Sequence, residues 1–320
     1  MVGPALKLII SIDVEEEGLF SGEYPRTPPG VSNVAQLKRL EFIPQEFGFP
    51  LTLLTTYQVA RDPAACRVLA HWRDHYGAEI GAHLHHWNTP PFAHLPEPEP
   101  VRSEKLPLSL LREKFQSLLT VLQEGLGVIP RSFRMGRFDW GPKVLSLLPE
   151  FGLKVDSSMR PLTQERGGPD HFLVPADPFY LPPAGPGGTA LLEAPLTLVP
   201  VWAGTPQPIY RLSSIMPGPW GELLRSAFHY LAVMGPQPTM YALPVMRWSV
   251  RRHRQGGGQV LNMYFHSSEL LPGANPLFPT EAAVSRLVRK IRKFLEWLVK
   301  RGPVQGVTLG ELYTEGGEGG

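Results

Sequence analysis

The chain has 320 residues, 42% of them hydrophobic and 19% charged, with 31 basic and 29 acidic side chains. It is too apolar for a disordered chain and long enough for one large α/β domain or two smaller ones, and a net charge of +2 gives no general field for nucleic acid or anionic lipid. One cysteine, Cys66, excludes an internal disulfide and a zinc site built from several cysteines.

The N-terminal "MVGPALKLIISIDVEEEG" has an apolar run too short for a secretory core, and it ends in acids. No window approaches the ~20 apolar residues of a membrane span. The expectation is a cytoplasmic protein without a membrane span. Residues 6–13 form a continuous apolar run, which predicts a strand buried on both faces. Residues 32–48 open with a serine cap and close with glycine, as a helix would, with Pro44 kinking or shortening it. "PLTLLTTYQVA" predicts a second strand, and "DPAACRVLAHWRDHYG" a capped helix with Cys66 as a small core residue. "AEIGAHLH" is the third strand and residues 107–127 a clear helix. "RSFRMG", "GPKVLSLLPEFG" and "LKVDSS" follow as strand, helix and strand.

Residues 160–188 are rich in proline and glycine and predict a long ordered loop or small β excursion. "ALLEAPLTLVPVW" gives one or two strands, 218–233 and 239–252 two helices, 258–267 a strong strand, and 279–302 a long helix with a solvated basic face. "VQGVTLGEL" closes the fold, and the tail "EGGEGG" is expected to fray. Alternating strands and helices imply parallel strands with right-handed crossovers. With six to eight strands and no glycine-rich phosphate loop after the first, the pattern favours a (β/α) barrel over an open doubly wound sheet. The boundaries predict a single domain over 1–315, with the insertion near 160–190 and a flexible tail at 316–320.

In such barrels the active site lies at the C-terminal ends of the strands. There the first strand delivers Asp13 and Glu15, the third His83, His85 and His86, the fourth Arg134 and Arg137, the fifth Asp156, and the late strand His266. Residues two apart in a strand share a face, so Asp13 pairs with Glu15 and His83 with His85, while His86 points away. Two imidazoles and a carboxylate with open positions make a hydrolytic metal site. A strand-end aspartate also caps loops, and for Asp13 capping and catalysis stand equal at this level. Glu16 and Glu17 are expected in a solvated turn. His71, His75, His94, His171, His229 and His253 are expected to be ordinary histidines. For Trp87, Phe138 and Trp140, sugar stacking and core packing are open alternatives.

"SIDVEE", "EIGAHLHHW", "SFRMGRFDWGP", "LKVDSS" and "YFHSSEL" occur in the order of the motifs of the polysaccharide deacetylases, carbohydrate esterase family 4, which the chain resembles over most of its length. The resemblance implies a distorted, seven-stranded (β/α) barrel that removes acetyl groups from N-acetylated or O-acetylated sugars with a divalent metal, most often zinc. It implies Asp13 as catalytic base, Arg134 as its ion-pair partner, His266 as general acid and Asp156 as the carboxylate that orients His266. The family's metal-binding aspartate position is Val14 and its second histidine position is Trp87, so Glu15 and His85 take those places beside His83. The partner expected is a carbohydrate, not nucleic acid. Two rivals remain: a glycoside hydrolase using Asp13 or Glu15 with Glu193 or Glu269, and an inactive glycan-binding protein.

Overall fold

The computed structural model describes residues 5–22, 24–27, 29–95, 101–164, 168–182 and 190–317. Among the described residues there are eleven strands and ten α-helices: β1 Leu6–Val14, α1 Phe42–Phe47, β2 Thr52–Thr55, α2 Tyr57–Ala60, α3 Pro63–Tyr76, β3 Glu79–Leu84, α4 Leu108–Leu126, β4 Ser132–Met135, α5 Pro142–Glu150, β5 Val155–Asp156, β6 Phe179–Leu181, β7 Leu191–Glu193, β8 Val199–Pro200, α6 Pro206–Ile215, α7 Trp220–Ala232, β9 Val233–Met234, α8 Leu243–Gln255, β10 Val260–His266, α9 Glu281–Val299, β11 Val304–Gly306 and α10 Leu309–Gly317.

Among the described residues, seven parallel strands form a curled sheet in the order β10-β1-β2-β3-β4-β5-β7. β6 adds antiparallel to β7, and β11 pairs with the start of β1. The curl closes without a ladder. Just past β7, Thr197 N donates to Asn262 O of β10 at 3.2 Å, and Asn262 N donates to Thr197 Oγ1 at 2.8 Å. This is a distorted barrel, as expected.

The alternation along the strands places the site. In β1, Leu8, Ile10, Ile12 and Val14 join the large core between the sheet and its helices. Ile9 belongs to a smaller interior cluster with Leu54, Val155 and Leu192. The interior register of β1 therefore runs Ile9, Ser11, Asp13, with Glu15 next: apolar at the bottom, ionisable at the top. β10 alternates likewise, with Leu261, Met263 and Phe265 in the large core. β1 is buried on both faces, as expected, one face apolar throughout and the other turning ionisable toward the rim.

Several elements differ from expectation. Residues 32–48 are not one helix: Ser32–Leu40 is 3-10, and α1 follows after Glu41. Glu17 fixes the first turn by accepting from Ser32 Oγ at 2.7 Å and Asn33 N at 3.0 Å. Pro44 has no N–H to donate back across the junction. The second predicted strand stops at Thr55, because Thr56 (φ −80, ψ 164) opens α2. Where a frayed tail was expected from 316, α10 continues to Gly317; residues 318–320 lie outside the described set, as do 165–167 and 183–189 of the proline- and glycine-rich insertion. Cys66 is buried, as expected. No helix among the described residues is long and apolar enough to cross a membrane.

The Asp-Pro start of α3 forms as the sequence implies: Asp62 Oδ1 accepts from Ala65 N at 2.7 Å, and Pro63 occupies the first helical position. Asp62→Ala is expected to lower stability by about 1 kcal/mol, read from the shift in urea midpoint. An unchanged midpoint would show that the cap contributes nothing.

Candidate metal and acid–base site

Strand register sets the first contacts. Asp13 lies opposite His266, and His83 opposite Arg134. Arg134 is fully buried. Its Nη1 donates to Asp13 Oδ1 at 2.5 Å, its Nη2 to Ser11 Oγ at 2.8 Å and Ser157 Oγ at 2.9 Å, and its Nε to Ser157 O at 2.8 Å. Burial alone would raise the Asp13 carboxyl, but Arg134, with His83 and His266, outweighs it and holds the group below the ordinary carboxylate value. Asp13 is therefore ionised.

Both strand-three histidines present the same nitrogen. His83 Nδ1 donates to Arg134 O at 2.9 Å and His85 Nδ1 to Glu16 Oε1 at 2.6 Å. With Nδ1 bonded, each ring turns Nε2 inward, and the two Nε2 atoms stand 3.0 Å apart. Glu15 Oε2 lies 3.5 Å from His85 Nε2 and 3.8 Å from His83 Nε2. Glu15 Oε1 is buried with no hydrogen-bond partner among the described residues. Two imidazole lone pairs aimed at one point, beside an orphaned carboxylate, repel one another unless a cation sits between them. This donor set fits a divalent ion, and His83, His85 and Glu15 are the group that converges.

Gly136 makes room for the His85 ring: a Cβ there would lie 2.5 Å from His85 Cδ2 and 2.7 Å from Leu84 O. His86, as expected, faces elsewhere. Its Nε2 donates to Val101 O at 2.5 Å, and burial, with Lys114 nearby, lowers its pKa to about 3.

His266 Nε2 lies 3.9 Å from Asp13 Oδ2, and its Nδ1 donates to Glu269 Oε1 at 2.8 Å. Burial lowers the His266 pKa, but Glu15, Glu269 and Asp13 outweigh it and raise it to about 9. The group that orients His266 is thus Glu269, not Asp156. Asp156 sits on β5 opposite Glu193 and accepts from Ser158 Oγ at 2.5 Å. Burial raises both carboxyls, and Asp156 Oδ2 and Glu193 Oε2 are buried with no hydrogen-bond partner among the described residues, a pairing that favours a retained proton.

Glu16 corrects another expectation. It is buried, not solvated, and it accepts from His85 Nδ1, Thr56 Oγ1 and Asn88 Nδ2. Burial pushes its carboxyl up, but His85 and the hydrogen bonds hold it down to about 2. The sequence signal was available: a ligating histidine needs an acceptor on its second nitrogen, and a third consecutive acid offers one.

Asp13, Glu15, His83, His85 and His266 line a pocket of about 130 Å³ whose other walls include Leu19, Phe20, Tyr24, Trp87, Arg137 and Phe138. Trp87 stacks on His85, with ring centroids 4.4 Å apart. Phe138 lies under both Arg134 and Arg160. Trp140 packs edge-on against His171 instead and does not line the pocket.

No protein-family profile matches the chain, and no curated protein sequence does. Solved structures do. A protein from Mycobacterium smegmatis described as a polysaccharide deacetylase superimposes with a TM-score of 0.57 and 16% identity, over 98% of this chain and 94% of the other. A protein from Parabacteroides distasonis described as a glycoside hydrolase/deacetylase gives a TM-score of 0.62 and 14% identity, over 97% of this chain and 70% of the other. The chain therefore has the distorted (β/α) barrel fold of these proteins.

Two outcomes are expected. Purified protein loaded with zinc retains one ion, His83→Ala and His85→Ala lose it, and Glu16→Gln binds it about 10–100-fold more weakly; equal retention in all three would refute the ligand set. Burial raises both carboxyls: Asp156 to about 6 against the hydrogen bonds that lower it, and Glu193, with the Asp156 charge adding to burial, well above its usual value. The folded state therefore holds protons that the unfolded chain releases near pH 4, and stability falls as pH rises through that window. Glu193→Gln should accordingly gain in Tm relative to wild type between about pH 5 and pH 8. A pH-independent difference would dismiss the pair.

Proposed function

We propose that the protein is a metal-dependent hydrolase that removes acetyl groups from N-acetylated, or O-acetylated, sugars of a cell-surface polysaccharide or its precursor. One observation carries this reading: two imidazole Nε2 atoms, an orphaned carboxylate, an ionised aspartate and a second oriented histidine meet in one small pocket. A cavity of about 130 Å³ corresponds to about four water volumes at ~30 Å³ each. That is room for a small acyl group and not for a sugar ring. Phe20, Tyr24, Trp87 and Phe138 supply apolar walls to the cavity.

His83, His85 and Glu15 would hold the ion, most often zinc for such a donor set. A divalent ion held there would polarise an acyl carbonyl and lower the pKa of a water toward ~7. Asp13, kept ionised by Arg134, takes the proton of the attacking water. His266, beside Asp13 on the adjacent strand β10, donates a proton to the departing amine or alcohol, with Glu269 fixing its ring. Arg134 does not touch substrate; it positions Asp13 and, through its carbonyl, His83.

The glycoside hydrolase alternative weakens on the same geometry. It needs two carboxylates flanking a glycosidic bond. Glu193 is paired with Asp156, Glu269 is held by His266, and neither lines the pocket. Asp13 and Glu15 stand on one strand, on one side.

The test is acetate release from N-acetylglucosamine oligomers and acetylated xylan by the zinc-loaded protein. His266→Ala is expected to keep the ion and the fold and to lose about 10²–10⁴ in rate. Near wild-type rates in a folded, metallated His266→Ala would remove it from the mechanism. No acetate from any acetylated sugar with wild type would remove the reading itself.

A further inference from the structure

The turn after β4 is strained at two successive residues. Among the described residues only three that are not glycine have a positive φ, and two of them are neighbours: Arg137 (φ 58, ψ 15) and Phe138 (φ 54). L side chains disfavour this left-handed region, and glycine enters it freely. The turn is fixed at both ends. Gly136 before it packs against the His85 ring. After it, Asp139 Oδ2 accepts from Ser103 N at 2.6 Å and Oδ1 from Arg102 Nη1 at 3.2 Å. The held backbone brings two consecutive side chains to one place, since Arg137 and Phe138 both line the pocket. Arg137 is also exposed, so it stands where the pocket opens.

The charge of Arg137 has no counterpart. The acids that line or back the pocket are each matched. Asp13 faces Arg134, Glu269 faces His266, and Glu15 with Glu16 balances the divalent ion that His83, His85 and Glu15 fit. Two further arginines, Arg102 and Arg26, are taken up by Asp139 and by the Ala93 carbonyl. Arg137 makes no hydrogen bond and no ion pair among the described residues. Its guanidinium lies over the Tyr24 ring, with the central carbon 5.2 Å from the centroid. Tyr24 stands edge-on to Trp87, which stacks on His85. A guanidinium lying over a ring is oriented by it, and its in-plane N–H groups stay open. Such a fork, positioned and unused, fits two oxygens of a carboxylate or a phosphate.

We propose that Arg137 reads charge on the substrate, an inference that rests on the deacetylase reading: the acetylated sugar carries a carboxylate or phosphate group on the same ring or on the next one. The cavity admits a small acyl group and no ring. The sugar that bears the acyl group therefore lies outside it, against the exposed residues of the opening, Arg137 among them. A neutral sugar offers this arginine single hydroxyl acceptors, whereas an oxyanion offers a paired and charged one.

The test is binding, measured by isothermal titration in zinc-loaded His266→Ala protein, where turnover is slow. The probes are N-acetylglucosamine 6-phosphate, the disaccharide of glucuronic acid and N-acetylglucosamine, and the neutral sugars N-acetylglucosamine and N,N′-diacetylchitobiose. At least one anionic probe is expected to bind about tenfold or more tighter than its neutral counterpart, by a margin that shrinks as salt rises. The anion with the larger margin identifies carboxylate or phosphate as the source. Adding Arg137→Gly should abolish the margin without lowering Tm, because glycine adopts the left-handed backbone freely. Arg137→Lys, which keeps the charge and loses the fork, should keep part of it. If Arg137→Gly misfolds, Arg137→Asn serves, since asparagine also tolerates this region. No binding of either anionic probe, or equal affinity for anionic and neutral sugars, overturns the proposal. So does a margin that survives in a folded Arg137→Gly protein, since the oxyanion would then sit on the ion alone. Failure of the deacetylase reading shows separately, as no acetate release from any sugar.

Discussion

The whole rim hangs on one buried cation. Arg134 has no access to water, and burying a guanidinium without partners costs several kcal/mol. Its partners are Ser11 and Asp13 on β1 and Ser157 just past β5, so a single side chain on β4 ties three separate parts of the barrel rim together. Its backbone carbonyl also accepts from His83 on β3. The charge that holds the fold at this point is the charge that keeps Asp13 ionised. Stability and chemistry therefore cannot be tuned independently here, and loss of Arg134 would leave a buried carboxylate uncompensated as well as an unpositioned base.

The histidines obey a second constraint that Arg134 begins and Glu16 completes. An imidazole offers either nitrogen, and a free pair of rings would relax by rotating one lone pair toward water or a donor. Here the Arg134 carbonyl and the Glu16 carboxylate each take an Nδ1 proton. Both Nε2 atoms are then committed to the same small volume. Glu16 is held in turn by Thr56 and Asn88, so β1, the β2–α2 junction and the loop after β3 all share in the orientation. The outer partners are as much a part of this site as the inner donors. They explain why a run of three acids follows the first strand: Glu15 faces the pocket, Glu16 backs His85, and Glu17 caps the turn that begins at Ser32.

This division of labour marks the limit of what the sequence reveals. Strand ends, the alternation of Asp13 with Glu15 and of His83 with His85, and the rim address of Arg134 and His266 are period-two and topology properties, and both are legible in one dimension. The partners of the second nitrogens are not, because they depend on which way a side chain turns after a strand has ended. Glu16 followed the last β1 residue by two and read as solvent-facing; the curl of the sheet carried it inward onto His85. The orienting acid of His266 was sought on another strand, at Asp156, when a short 3-10 turn brought Glu269 back from only three residues away. Asp156 was instead claimed by Glu193, opposite it across β5 and β7. Helix boundaries failed where side chains, rather than propensity, set the turn, as at Asn33, whose Nδ2 donates to Glu15 O and draws its turn onto the rim.

The same contrast separates the barrel from the excursion that stands on its rim. In the barrel, every ionisable group on the interior face of β1, β3, β4 and β10 has a partner or converges with others on a common point. In α6 and α7 the polarity pattern is inverted, with the small and aromatic residues Gly221, Phe228 and Ala232 inside and leucine, tyrosine and tryptophan outside. Packing of the hairpin does not require the outer set, since the buried face alone closes the cluster around Phe172 and Leu198. The leucine, tyrosine and tryptophan side chains on the outer face of α6 and α7 therefore take no part in closing the fold beneath them.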